Sequence, residues 1–196
     1  MHYECRILLP INKNSFTKRG GGMEKKDKNR EQEVLLCVTN LPEQIVKLHG
    51  QENMLELLLH AMSQKNCFNF SKAAYFIDNP EFDHLKGVAG VHEPEAYDKD
   101  HWKDPQEFSD HMNRAPFNNQ VRQMMLKSIK KNSHSEKEVV SELSKELAFK
   151  NFHYLSWPVK YNNHGLLIFE TEQDEHDQLK EHLESGVHLF GFCPVF

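Results

Sequence analysis

No apolar run in this 196-residue chain approaches the roughly 20 residues a helix needs to cross a bilayer. Cysteine is scarce and scattered. Cys5, Cys37, Cys67 and Cys193 include no Cys-x-x-Cys pair, which excludes a zinc ribbon and a thioredoxin-type motif. Cys37 and Cys193 stand in apolar runs, where a buried free thiol is the expected state. The chain also lacks a phosphate-binding glycine loop ending in Lys-Ser/Thr, a Gly-x-Ser-x-Gly elbow and a His-Glu-x-x-His pair. Positive charge is in short supply. A net charge of −5 argues against a nucleic-acid surface, which needs a basic stripe to replace phosphate counterions. The early apolar patch, Ile7-Leu8-Leu9-Pro10-Ile11, has no small-residue cleavage site after it and makes a poor signal peptide. A cytoplasmic location with no membrane partner is therefore expected.

What is present supports one core. Hydrophobic residues are only 38% of the chain, but thirteen are Phe, and each aromatic buries a large area. Thirteen His make the net charge sensitive to mild acid. Residues 1–33 differ from the rest. Lys18-Arg19-Gly20-Gly21-Gly22 leads into Met23 and a charged run with no periodicity, which predicts a disordered or non-native extension. Arg-Gly-Gly before a Met is what a purine-rich bacterial ribosome-binding site yields when read in frame, making Met23 a candidate start. Residues 34–196 then form a single α+β domain.

Within it, Val34-Leu35-Leu36-Cys37-Val38 reads as a short strand. Asn40, Pro42 and Glu43 predict a helix start, with a possible interruption at Gly50 before a firm helix on Met54, Leu55, Leu58, Leu59 and Met62. Ala73-Ala74-Tyr75-Phe76-Ile77, apolar on both faces, predicts a central buried strand. It turns at Asp78-Asn79-Pro80-Glu81 into a returning strand over 85–91, where Gly87 and Gly90 permit a bulge or close backbone approach. Val121, Met124, Met125 and Ile129 mark one amphipathic helix. Ser135 and Glu138 form a capping box for another, with Val139, Val140, Leu143 and Leu147 inward. Strands over 154–161 and 165–171 flank a turn at Asn162-Asn163-His164-Gly165. Asp174 caps a last helix, with Leu179 and Leu183 inward, that Gly186 stops. Alternation of Phe190 and Phe192 with smaller residues suggests a final strand pairing with 34–38.

Asn69-Phe70-Ser71-Lys72-Ala73-Ala74-Tyr75-Phe76-Ile77-Asp78, followed by Leu85-Lys86-Gly87-Val88-Ala89-Gly90-Val91, resembles the first core hairpin of GAF domains in bacterial sensor proteins. Glu95-Ala96 and Trp102 are similar to residues that often follow it. Trp157-Pro158-Val159-Lys160-Tyr161-Asn162-Asn163-His164-Gly165-Leu166-Leu167-Ile168 resembles the family's closing hairpin. The likeness spans roughly residues 42–187. It implies a GAF/PAS-like, profilin-type architecture: an antiparallel sheet with flanking helices, the first and last on one face. The other face would hold a pocket closed by residues 92–153. The family binds varied small molecules or dimerises, so the resemblance implies a stand-alone, non-catalytic sensory domain with an unknown ligand and a possible homodimer or signalling partner. The alternative is a protein-interaction module without a small ligand, docking through residues 190–196.

Candidate ligand contacts are Tyr75, His92 and Trp102: a polar-tipped aromatic on a buried strand, an imidazole and a covering indole. The densest polar cluster runs from His92 through Glu93, Glu95, Asp98, Asp100, His101 and Asp104 to His111. Its weak metal candidates are His92, His101 and Asp104, but no ligand pair has a diagnostic spacing, and no metal is expected. Cys67, seven residues after His60, is at most a weak nucleophile–base pair.

Overall fold

The structure, a computed structural model, describes residues 23–51, 53–132, 135–171 and 176–193. It is an α+β fold built on a five-stranded antiparallel sheet. Strands β1 (Phe70–Asn79), β2 (His84–His92), β3 (Met125–Leu126), β4 (Phe152–Pro158) and β5 (His164–Thr171) lie in the order β3-β2-β1-β5-β4. β1 is therefore central, as its two apolar faces require. Ala73, Tyr75 and Ile77 enter one core, shared with α1 (Met23–Lys47), α2 (Met54–Ser63) and α7 (His176–Val187). Ala74 and Phe76 enter a second core. That one is shared with α4 (Pro116–Gln123), α5 (Ile129–Asn132) and α6 (Glu136–Glu146), while α3 (Pro105–Met112) joins the first core through Phe108 and Met112.

Gly87 and Gly90 do both things their sequence permits. Tyr75 pairs with Ala89 but Phe76 with Gly87, so Val88 is a bulge residue. A bulge inverts the in–out alternation, and this brings Leu85, Gly87 and Gly90 all beneath α4. A Cβ on Gly87 would lie 1.9 Å from the Val121 carbonyl oxygen, and one on Gly90 would lie 2.8 Å from the Val121 side chain. Asn118, fully buried on α4, fastens the contact. Its amide oxygen accepts from Gly90 N–H (2.9 Å) and its amide nitrogen donates to the Met112 carbonyl (3.0 Å).

Several local expectations are corrected. Residues 34–38 are helical, inside α1, and so are residues 23–33. Five residues are too few to reveal a period. The longer spacing Val34, Cys37, Val38, Leu41, Ile45 and Leu48 makes one helical stripe, and these residues lie in or against the core, Leu48 one residue past the end of α1. Asn40 caps nothing, because the helix runs through Pro42. Proline removes the bond to the carbonyl four residues back. In the turn just before it, the Thr39 hydroxyl donates to the carbonyls of Leu35 (2.9 Å) and Leu36 (3.1 Å). α1 ends before Gly50, whose φ of +95° suits only glycine comfortably.

The helix expected through Val121 and Ile129 breaks at Met124, which turns extended so that β3 can pair with β2. Met125 is consequently exposed. Ser135 occupies the N-cap of α6, but its side chain makes no capping bond. The closing hairpin turns earlier than expected, with Tyr161 and Asn162 at φ +58° and +60°, the signature of a type I′ turn. Gly165 is a packing residue instead. It pairs with Trp157, whose ring lies where a Gly165 Cβ would be, 2.6 Å away. Gly186 does not stop α7, which runs on to Val187; Leu179 and Leu183 are buried as expected, and Asp174 lies outside the described residues. The final strand is a 3₁₀ turn, His188–Phe192, with Phe190 buried and Phe192 exposed. No helix among the described residues is long and apolar enough to cross a membrane.

Candidate functional site

The polar cluster between His92 and His111 is largely consumed by backbone demands. Asp104 is the N-cap of α3, accepting from Glu107 N–H at 3.0 Å, with Pro105 in the first turn. Glu95 accepts from Phe117 N–H at 2.9 Å in the first turn of α4, a helix whose own cap residue, Ala115, has no side-chain acceptor. Asp100 accepts from Trp102 N–H, and the His111 ring bonds the Glu95 carbonyl at 2.7 Å. His92 sits 3.7 Å from Glu95, while His101 is buried elsewhere. Among the described residues, no three His, Cys, Asp or Glu side chains converge to hold a metal.

Tyr75, His92 and Trp102 occupy three separate places. Tyr75 is sealed in the first core, stacked on Trp157 (5.6 Å) and against Phe190 (4.5 Å). The His92 ring meets Phe117 of the second core. Trp102 is half-buried beside His101. The Tyr75 hydroxyl is buried with no hydrogen-bond partner among the described residues. Removing a buried donor that has no partner loses no bond and spares its desolvation. Tyr75→Phe is therefore expected to leave the chemical-denaturation midpoint unchanged or raised, whereas a loss of more than about 1 kcal/mol would reveal a hidden partner.

The face that the resemblance assigns to a pocket is filled. Phe117, Val121, Phe149, Tyr154 and Ile168 pack there. Buried Lys72 crosses the same region, donating to the carbonyls of Leu147 (2.6 Å) and Ala148 (3.3 Å) at the end of α6, where a cation suits the helix dipole. Its ammonium also sits over the rings of Phe117 (4.7 Å) and Phe149 (5.2 Å). Burial lowers the Lys72 pKa, and Glu170 and Glu95 oppose this.

The arrangement that does gather chemistry is a cleft of about 180 Å³ on the other side of the sheet, at the end of α2. His60, Ser63, Gln64 and Lys65 line one wall, and Glu93 and Ala96 another, with Phe70 and Val91 beside them. His60 makes its base. Its ring meets His101 edge-on at 4.6 Å and Phe108 at 5.2 Å, and it approaches the Gln64 amide nitrogen at 3.2 Å. The sequence offers His60 only as a weak base for Cys67 and does not place it beside His101. The available signal was a lone imidazole in Met54-Leu55-Glu56-Leu57-Leu58-Leu59-His60-Ala61-Met62, a helix buried on every side. The Cys67 thiol is not paired with this histidine. It is fully buried, and burial raises its pKa.

Burial, aided by repulsion from His101, pushes the His60 pKa down to about 3. Burial likewise takes His101 to about 4, against the attraction of Asp100. Above pH 6.5 both rings are neutral whether the chain is folded or not. Below it the unfolded chain takes up protons that the folded chain refuses, so stability is lost as pH falls from 6.5 towards 4 and 3. Urea midpoints measured from pH 7 to pH 5 should decline more shallowly in a His60→Gln/His101→Gln protein than in the parent. Parallel declines would remove these rings as the cause.

Comparison with protein-family models and with curated proteins gives no match.

Proposed function

We propose that this chain is a GAF-type sensory domain that binds a small polar metabolite, without transforming it, in the cleft at the end of α2. The cleft itself carries the reading: neutral imidazole, hydroxyl, amide, ammonium and carboxylate groups converge beside apolar Phe70 and Val91. Lys65 and Glu93 give it both charges, which suits a zwitterion or a polyol better than an anion. At about 180 Å³ it falls below the roughly 300–1,000 Å³ of pockets for drug-sized ligands, so a tetrapyrrole or cyclic nucleotide does not fit it. The GAF assignment is supported by α1 packing on α7 on one side of an antiparallel sheet, with α4 and α6 over the other. A cytoplasmic setting belongs to the same proposal.

The test is thermal unfolding against a panel of amino acids, polyols and small organic acids, repeated on Ala96→Trp, which fills the exposed mouth of the cleft. The expected result is stabilisation of the parent by one class and none of the variant. Equal stabilisation of both would place the ligand elsewhere. A second reading, an interaction module, draws on exposed Leu35, Leu36 and Val46 along α1. Concentration-dependent self-association lost in Leu36→Lys would favour it.

A further inference from the structure

At the end of β1 opposite the cleft, five elements bring polar side chains together beneath the short helix α5. Asp78 on β1 pairs directly with His164 on β5, and cross-strand partners share a sheet face. Tyr154 and Ser156 on β4 belong to that face too, opposite Ile168 and Leu166 of the second core. From α5, the Lys130 N–H donates to Asp78 Oδ2 (3.0 Å), and the Lys130 ammonium lies 3.6 Å from the Glu136 carboxylate at the start of α6. The Ser156 hydroxyl donates to the same Glu136 oxygen at 3.0 Å.

This cluster is closed but poorly bonded. Asp78 Oδ1, His164 Nδ1 and the Tyr154 hydroxyl are buried with no hydrogen-bond partner among the described residues. Each has lost its water without gaining a bond, a cost that opening relieves. α5 has only four residues, and Ile129 alone of them is buried. Its further tether, Asn132 Nδ2 to Asp83 Oδ1 on the β1–β2 turn (2.6 Å), is exposed, where water competes for the bond. Segments with so few buried apolar contacts are the first parts of a fold to open.

We propose that α5 is an acid-released latch: proton uptake by His164 detaches Lys130 from Asp78 and Glu136 and lifts residues 129–132 off the end of the sheet. The electrostatics give the direction. Burial, then repulsion from the Lys130 ammonium, lowers the His164 pKa from 6.5, against the attraction of the Asp78 and Glu136 carboxylates. The other neighbours, Tyr154 and Ser156, are neutral hydroxyls. Lifting α5 removes the Lys130 charge and admits water, so the open form binds the proton more tightly than the closed one. As pH falls below 6.5, the balance moves towards the open form. Above 6.5 the ring is neutral in both forms, and the latch stays shut.

The test is amide hydrogen exchange, followed by NMR on the full chain at pH 7.5 and 5.5 and corrected for the intrinsic pH dependence of exchange. The Lys130, Lys131 and Asn132 amides bond to Asp78 and Ser128, so they report α5 directly. Their protection should fall below pH 6.5, by at most about tenfold per pH unit for one linked proton. The fall should persist in His60→Gln/His101→Gln, which alters only global stability, and vanish in His164→Gln. The proposal is overturned if the parent protects these amides equally at both pH values. It is also overturned if His164→Gln keeps the fall, or if the double variant abolishes it. The comparison within the parent stands even if a variant misfolds.

Discussion

Ending the chain after His188 is expected to leave an insoluble or molten protein. Phe190 is 1% exposed and fills the space between Tyr75 on the central strand and Trp157 on β4, at ring distances of 4.5 and 6.0 Å. Those two rings are themselves stacked at 5.6 Å, so Phe190 closes a three-ring cluster joining the C-terminal segment to the middle of the sheet. Phe190→Ala alone should cost about 3–5 kcal/mol, the usual range for emptying a buried aromatic site. That is a large share of the roughly 5–15 kcal/mol that stabilises a typical domain. Phe192, two residues on, is 62% exposed, with the Lys160 ammonium over its ring at 5.5 Å. Phe192→Ala should change stability by no more than about 0.5 kcal/mol. Urea denaturation of the two variants separates the packing account from a docking peptide. In the docking case Phe190→Ala would stay folded and lose only a partner.

Adding one methyl group at Gly87 should be almost as damaging. Its Cβ would meet a backbone oxygen at 1.9 Å, and backbone on a packed helix cannot swing aside as a flexible side chain can. Either α4 lifts off β2 or the bulge at Val88 is redrawn, and both disturb the Gly90–Asn118 bond. The expected loss is about 3 kcal/mol, at the upper end of ordinary overpacking. Gly186→Ala is the control. Its nearest neighbours would be Met62 at 3.5 Å and Phe68 at 3.6 Å, ordinary contacts, and the position is helical. That variant should be neutral or gain about 0.5 kcal/mol from the better helix former. Equal losses at both positions would argue against α4 lying directly on β2.

The contrast between these glycines shows what local sequence can and cannot carry. Gly87 and Gly90 were legible because they interrupt a strand already fixed by its apolar neighbours. Gly165 and Gly186 look like a turn and a stop, yet Gly165 makes room for the Trp157 ring across the hairpin, and a Cβ at Gly186 would meet only ordinary contacts. The β1–β2 hairpin, α2 and α6 were readable from periodicity and turn residues. The 34–38 run was not, because a strand and one helical turn look alike over five residues, and only the stripe reaching Leu48 decides. At the site, charge density around residues 92–111 pointed to chemistry, but helix ends needing acceptors had the stronger claim on Glu95 and Asp104. His60 was legible only as a weak partner for Cys67, because its neighbour in the fold, His101, comes from another segment.

Native mass spectrometry of the freshly purified full chain tests the central claim most directly. A domain that senses a small molecule through the α2 cleft should fly as a folded species carrying one small adduct, or acquire one from the stabilising metabolite class, and Ala96→Trp should carry none. A bare folded chain that takes up no member of the panel, or an adduct equally abundant in parent and variant, would contradict it.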